Sequence, residues 1–194
     1  MNTKTRNNSN NNYILNPLCQ SALSTPHLPA IQTRYAEEMK KFVERFGPYK
    51  YFGTIAFQYS YSTQHVNQMF NHVINVSNAK IKVKKKNQVF GKGHIKGAAF
   101  IEYSTYGAPH IHYLISQDGK IGDLSFQEAK LIMNNAACGL TSTRGRKLIH
   151  PLAADFQAIY NQERIISYCC KTLHRPNQKG KYSIIDSKGP LPFS

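Results

Sequence analysis

The stretch GAAFIEYSTYGAPHIHYLI, residues 97–115, decides the fold. Two runs rich in aliphatic and aromatic residues flank Gly107-Ala108-Pro109, a turn signal, so the segment reads as a β-hairpin. Side chains alternate faces along an extended chain, which sends His110 and His112 out of one face a few ångströms apart. Pairing across the turn brings Glu102, eight residues before His110, back beside them. Glu102 is also the single carboxylate between Arg45 and Gln117. A glutamate plus His-x-His forms a three-ligand set with open positions. It suits Mn²⁺, tolerates Mg²⁺ and is compatible with Zn²⁺. The plainer alternative is a solvated histidine pair beside a surface glutamate.

Working outward, the pattern alternates strands and helices. Upstream, RYAEEMKKFVERFGP places Met39, Phe42, Val43 and Phe46 at helical spacing before a Gly-Pro stop. YKYFGTIAFQYSY reads as a strand. STQHVNQMFNHVINV puts Val66, Met69, Phe70, Val73 and Val76 on one helical face. The basic, hairpin-like KIKVKKKNQVFGKGHIKG leads into the opening stretch. Downstream, Ser125 and Glu128 form a capping-box signature at the head of LSFQEAKLIMNN. LAADFQAIY reads as a strand, and QERIISYCCKTLHR as a helix stopped near Pro176. The expected architecture is α+β: a central, mostly antiparallel sheet with helices packed on it. Residues 34–176 form the expected domain. An Asn-rich arm, expected to be disordered or loosely docked, precedes it over 1–33, and a basic tail follows over 177–194.

The 194 residues carry 25 lysines and arginines against 10 acids, a formal charge of +15. Such a balance points to a polyanion, nucleic acid before an acidic membrane surface. The four cysteines form no CxxC pair, and adjacent Cys169 and Cys170 make a poor disulfide, so a reducing, cytoplasmic setting is expected. No long apolar run calls for a membrane. The six histidines other than His110 and His112 read as ordinary polar residues.

On the last helix, stepping about 100° per residue separates two arcs. Ile165, Ile166, Cys169, Cys170 and Leu173 make the apolar one. Arg164, Tyr168, Lys171 and Arg175 crowd within about 60° on the other. Tyr168 thus stands among cations, which favour a phenolate and make it a plausible nucleophile toward a phosphodiester. A solvated basic face with an edge tyrosine is the bland reading. The cysteines fall on the core arc as small hydrophobes.

PHIHYLI resembles the His-hydrophobic-His motif of HUH endonucleases, and SYCCK, with Tyr168 and Lys171, resembles the single-tyrosine YxxK motif of rolling-circle replication initiators. YFGTIAFQY is similar to the first motif of those proteins, and the order along roughly residues 50–175 agrees. The resemblance implies a ferredoxin-like or RRM-like HUH endonuclease fold. In such a fold Glu102, His110 and His112 hold a divalent metal, Mn²⁺ or Mg²⁺; Tyr168 attacks and Lys171 assists. It implies nicking and rejoining of one strand of single-stranded origin DNA from a plasmid or virus, through a 5′-phosphotyrosine, with a host helicase and polymerase as partners. DNA contacts are expected from Arg164, Arg175, Lys82, Lys84, Lys85, Lys86, Arg144 and Arg146. The chain departs from larger relatives in lacking a G-x-x-x-x-G-K-[ST] stretch, so no ATP-coupled helicase is expected. The stretch between His112 and Tyr168 is also long, which sets the Arg144–Lys147 loop outside the analogy.

Three other functions fit parts of the pattern. A relaxase or a single-tyrosine transposase shares the HUH chemistry. A non-catalytic RRM-like module would stack bases on Phe52, Phe57 and Tyr59. A Zn²⁺ hydrolase would work without a covalent step.

Overall fold

The computed structural model describes residues 28–81, 95–171, 181–186 and 189–190. Helix α1 spans Leu28–Glu44, followed by β1 (Tyr49–Phe57), α2 (Thr63–Lys80), β2 (Gly97–Tyr103) and β3 (Pro109–Ser116). A short α3 (Lys120–Asp123) leads to α4 (Phe126–Cys138), β4 (Ile149–Ala158), α5 (Gln162–Cys170), β5 (Lys181–Asp186) and β6 (Gly189–Pro190). Among the described residues, six strands join one antiparallel sheet in the order β4-β1-β3-β2-β5-β6. The inner β-α-β-β-α-β unit, with order β4-β1-β3-β2, is the ferredoxin-like arrangement. The α+β reading of the sequence therefore holds.

Turn chemistry sets the hairpin register. Gly107 sits at φ +78°, where a side chain would be strained, and Ser104 closes the turn by accepting from the Ala108 and Gly107 amides. That register pairs Glu102 with His110, Ile101 with Ile111 and Phe100 with His112. Alternation then divides the sheet. Tyr51, Ile55, Ala99, Ile101, Ile111, Tyr113 and Ile115 face the larger core under α2 and α4. Phe52, Ala98, Phe100 and Leu114 face the smaller core under α1 and α5. Glu102, His110, His112 and Thr54 continue that second face.

The helices carry the stripes their spacing demands. Val66, Phe70 and Val73 are buried on α2, with Ser62 capping its start. The Ser125–Glu128 capping box on α4 is formed in both directions. Two expectations shift at the ends. Helix α1 begins at Leu28, six residues before the expected start of order, and α5 spans Gln162–Cys170 with Lys171 as its cap, the remainder of the expected helix toward Pro176 lying outside the described residues. The segment read as a basic tail supplies β5, which pairs along β2 from Gly97↔Ile185 to Ile101↔Lys181. The chain thus leaves β4 on one side of β1, crosses the second face as α5, and rejoins the sheet beyond β2. Among the described residues, no helix is long and apolar enough to cross a membrane.

Candidate active site

Helix α5 reaches its place through its apolar arc and its first turn. Ile166, Cys169 and Cys170 are buried against Phe100, Leu114 and Val43. Full burial of an isoleucine side chain is worth about 1.5–3 kcal/mol. The Asn161 side chain caps the helix by accepting from the Arg164 amide at 2.9 Å. Gln162 Oε1 accepts from the Tyr49 amide at 3.0 Å, and Lys40 pairs with Glu163 at 2.8 Å, tying α5 to β1 and to α1. The opposite arc is left facing outward, with Arg164 exposed and Tyr168 42% exposed.

Tyr168 meets the histidine strand directly. Its ring packs edge-on against His112 with centroids 5.2 Å apart, and against Phe52 at 6.1 Å. Phe52 in turn stacks on His112 at 5.8 Å. Lys171, one turn beyond, holds its Nζ 3.6 Å from the Tyr168 ring centroid and 3.6 Å from Glu102 Oε1. The other Glu102 oxygen, Oε2, lies 3.8 Å from His112 Nε2. Acid, imidazole, phenol and ammonium therefore form one continuous cluster where sheet and helix meet.

The donor set fits a divalent ion in its chemistry and, for two of its three members, in its spacing. Glu102 Oε2 and His112 Nε2 stand 3.8 Å apart, close enough to share an ion. His112 Nδ1 is engaged by Thr54 Oγ1 at 2.9 Å, which fixes the ring and directs Nε2 toward Glu102. Burial and the neighbouring His112 hold the His110 pKa below the ordinary histidine value, with Glu102 opposing; this favours the neutral imidazole that ligation requires. His110 shares the face and is the register partner of Glu102. Even so, no group of three His, Cys, Asp or Glu side chains among the described residues is gathered closely enough to enclose an ion. Glu102 is meanwhile engaged by Lys171.

The remaining expected site residues divide. Arg164 lies on the outward arc of α5 with Tyr168, as its spacing predicts. Arg144 and Arg146 are exposed on a loop closed by a Thr141–Lys147 bridge, with Gly145 at φ +74°. This loop's neighbours include Gln68, Met69 and His72 of α2, on the sheet face opposite Tyr168, so the structure does not gather these arginines into the cluster. Lys82, Lys84, Lys85, Lys86 and Arg175 lie outside the described residues. Cys169 and Cys170 are core residues, as expected, and burial raises both thiol pKa values, that of Cys170 to about 12.

Sequence reasoning missed Thr54 and the role of Phe52 toward His112. Phe52, Thr54 and Ala56 alternate onto one face of β1, and the β1–β3 register, Thr54↔His112, shows which residue they serve. The three aromatics of the RRM-like alternative do not share one exposed surface, for Tyr59 is exposed and the other two are covered. Phe52 is 7% exposed beneath α5, and Phe57 is buried in the core on the other face. Comparison with models of protein families, with curated proteins and with solved structures found no match to this chain.

Proposed function

We propose that this protein is a tyrosine endonuclease and strand transferase that nicks single-stranded DNA, acting as a rolling-circle replication initiator. The observation that carries the reading is the convergence of Tyr168 with Lys171, Glu102 and His112 across the α5–sheet junction. An exposed phenol with the Lys171 ammonium over its ring, backed by an acid–imidazole pair, is the equipment for attack on a phosphodiester.

In the proposed reaction the Tyr168 phenol loses its proton and its oxygen attacks phosphorus in line. The new P–O bond to tyrosine forms as the P–O3′ bond breaks, and the departing 3′ oxygen takes up a proton. One ester replaces another, so the phosphotyrosine retains the bond energy and the reverse attack by a 3′-hydroxyl rejoins ends. Lys171 stabilises the negative charge on the phenol oxygen and on the phosphate. His112, braced by Thr54 and Phe52, supplies a ring against which Tyr168 packs. A divalent ion held by Glu102, His112 and His110 would offset charge on a non-bridging phosphate oxygen. The +15 charge supports a polyanionic substrate and predicts strongly salt-dependent binding.

The test is incubation with labelled single-stranded oligonucleotides tiling the DNA that carries this gene, with Mn²⁺ or with chelator. A covalent protein–DNA band on a denaturing gel, present with Mn²⁺ and lost in Tyr168→Phe, is expected. Cleavage without adduct indicates a hydrolase, and binding without cleavage a non-catalytic module. An adduct that persists in Tyr168→Phe moves the nucleophile elsewhere.

A further inference from the structure

Tyr168 has a second neighbourhood, on the side away from Glu102. A groove of about 410 Å³ runs between the end of β4 and the first turns of α5, bounded by Phe52, Gln157, Tyr160, Asn161, Arg164 and Tyr168. We infer that this groove holds the base of the nucleotide adjoining the phosphate that Tyr168 attacks. The inference rests on the reading of Tyr168 as a nucleophile toward single-stranded DNA.

The chemistry of the walls selects the occupant. Phe52 and Tyr168 meet at 88° and form an aromatic corner. Tyr160, 97% exposed, presents a large ring to solvent on a connection of three residues between strand and helix. That connection is pinned at both ends, by the Ile159 amide to the Lys50 carbonyl at 2.9 Å and by the Asn161 cap. An exposed ring on a fixed backbone suits the flat face of a base. Polar groups stand beside the rings. Gln157 is the register partner of Phe52 and donates Nε2 to Asp155 Oδ2 at 2.5 Å, which orients its amide. The Asn161 carbonyl oxygen is committed to the cap, so its amide NH₂ is the end suited to an acceptor on a base edge. Arg164 adds a guanidinium able to stack or to bind phosphate. The volume falls within the range of small-ligand pockets. Tyr168 is a wall of both this groove and the acid–imidazole cluster. A strand whose phosphate reaches the phenol therefore places a neighbouring base at the groove mouth.

The experiment uses the full chain carrying Tyr168→Phe, so that binding is measured without turnover. Single-stranded oligothymidylates with one 5-iodouracil at successive positions are photo-crosslinked, and the modified residue is identified by mass spectrometry. One position is expected to crosslink at Tyr160. Tyr160→Ala should weaken binding about fivefold or more, the low end of base–aromatic stacking, and should have no effect once that position is abasic. Crosslinks confined to other segments, no crosslink at saturating oligonucleotide, or equal weakening of base-bearing and abasic strands overturns the inference. Adduct formation by the wild-type chain, run in parallel, separates the two readings. Adduct with crosslinks elsewhere removes the groove and keeps the nickase; a Tyr160 crosslink without adduct keeps the groove and removes the nickase.

Discussion

Replacing Lys171 with glutamine tests the cluster at the point where its parts meet. The ammonium lies 3.6 Å from the Tyr168 ring centroid and 3.6 Å from Glu102. As a structural element it is modest: a cation–π contact at a half-exposed site is worth about 0.5–1 kcal/mol and an ion pair near the surface about 0–1 kcal/mol. Its effect on a developing phenolate is larger. Unit charges about 4 Å apart near a protein surface interact by about 4 kcal/mol. Tyr168 is 42% exposed, and halving that figure for screening leaves about 2 kcal/mol, or about 30-fold in rate. Lys171→Gln should therefore slow single-turnover adduct formation about 10- to 100-fold while lowering unfolding stability by about 1 kcal/mol. Lys171→Arg, which keeps the charge, should recover much of the rate. The assay is quench-flow adduct formation beside a urea titration of the same preparations. A glutamine variant that reacts at the wild-type rate refutes the charge argument. A rate loss that follows a stability loss of several kcal/mol refutes it differently, by making Lys171 a structural residue.

Thr54→Val removes the hydroxyl that engages His112 Nδ1 and should weaken Mn²⁺ binding about 10- to 100-fold by calorimetry, with folding preserved; unchanged affinity would take His112 out of the ligand set. Gly53→Ala places a Cβ 2.1 Å from the fully buried Tyr113 ring, so a loss of about 1–3 kcal/mol in urea unfolding is expected, and an unchanged midpoint would contradict the packing described. Native protein at pH 8 should alkylate at half-buried Cys138 well before Cys169 and Cys170, whose thiols burial keeps protonated, that of Cys170 up to about 12. Rapid labelling of the adjacent pair, read by peptide mapping, would mean that α5 detaches from the sheet.

The legible parts of this protein are those written in local periodicity. Gly107 and the alternation on either side of it bring Glu102 back beside the two histidines, because a two-stranded register depends on one turn, and the exact pairing is Glu102 with His110. The α5 wheel separated Tyr168 from Cys169 for the same reason: 3.6 residues per turn leave little choice. What sequence alone hid were relations between elements distant in the chain. The reach of Lys171 to Glu102 depends on the height at which α5 rides over β2. The bracing of His112 by Thr54 depends on which neighbour β3 selects. Strand β5 was hidden because KYSIID is short and basic at its start, and its partner β2 lies some eighty residues earlier. The arginines at 144 and 146 looked like DNA contacts on charge alone, and charge does not report the face of the sheet on which a loop ends.

The path of the chain around α5 has a mechanical consequence. The helix is slung across the sheet between β4, hydrogen-bonded to β1, and β5, hydrogen-bonded to β2. Under the proposed function, a DNA end joined to Tyr168 would pull near the carboxyl end of the helix, and tension would pass through its amino end and the short connection into the β4–β1 pairing. Antiparallel ladders loaded along their length share force among several hydrogen bonds at once. Under the proposed function, a polymerase or helicase drawing on the tethered end would thus meet a nucleophile anchored in the sheet through β4 rather than carried on a free arm.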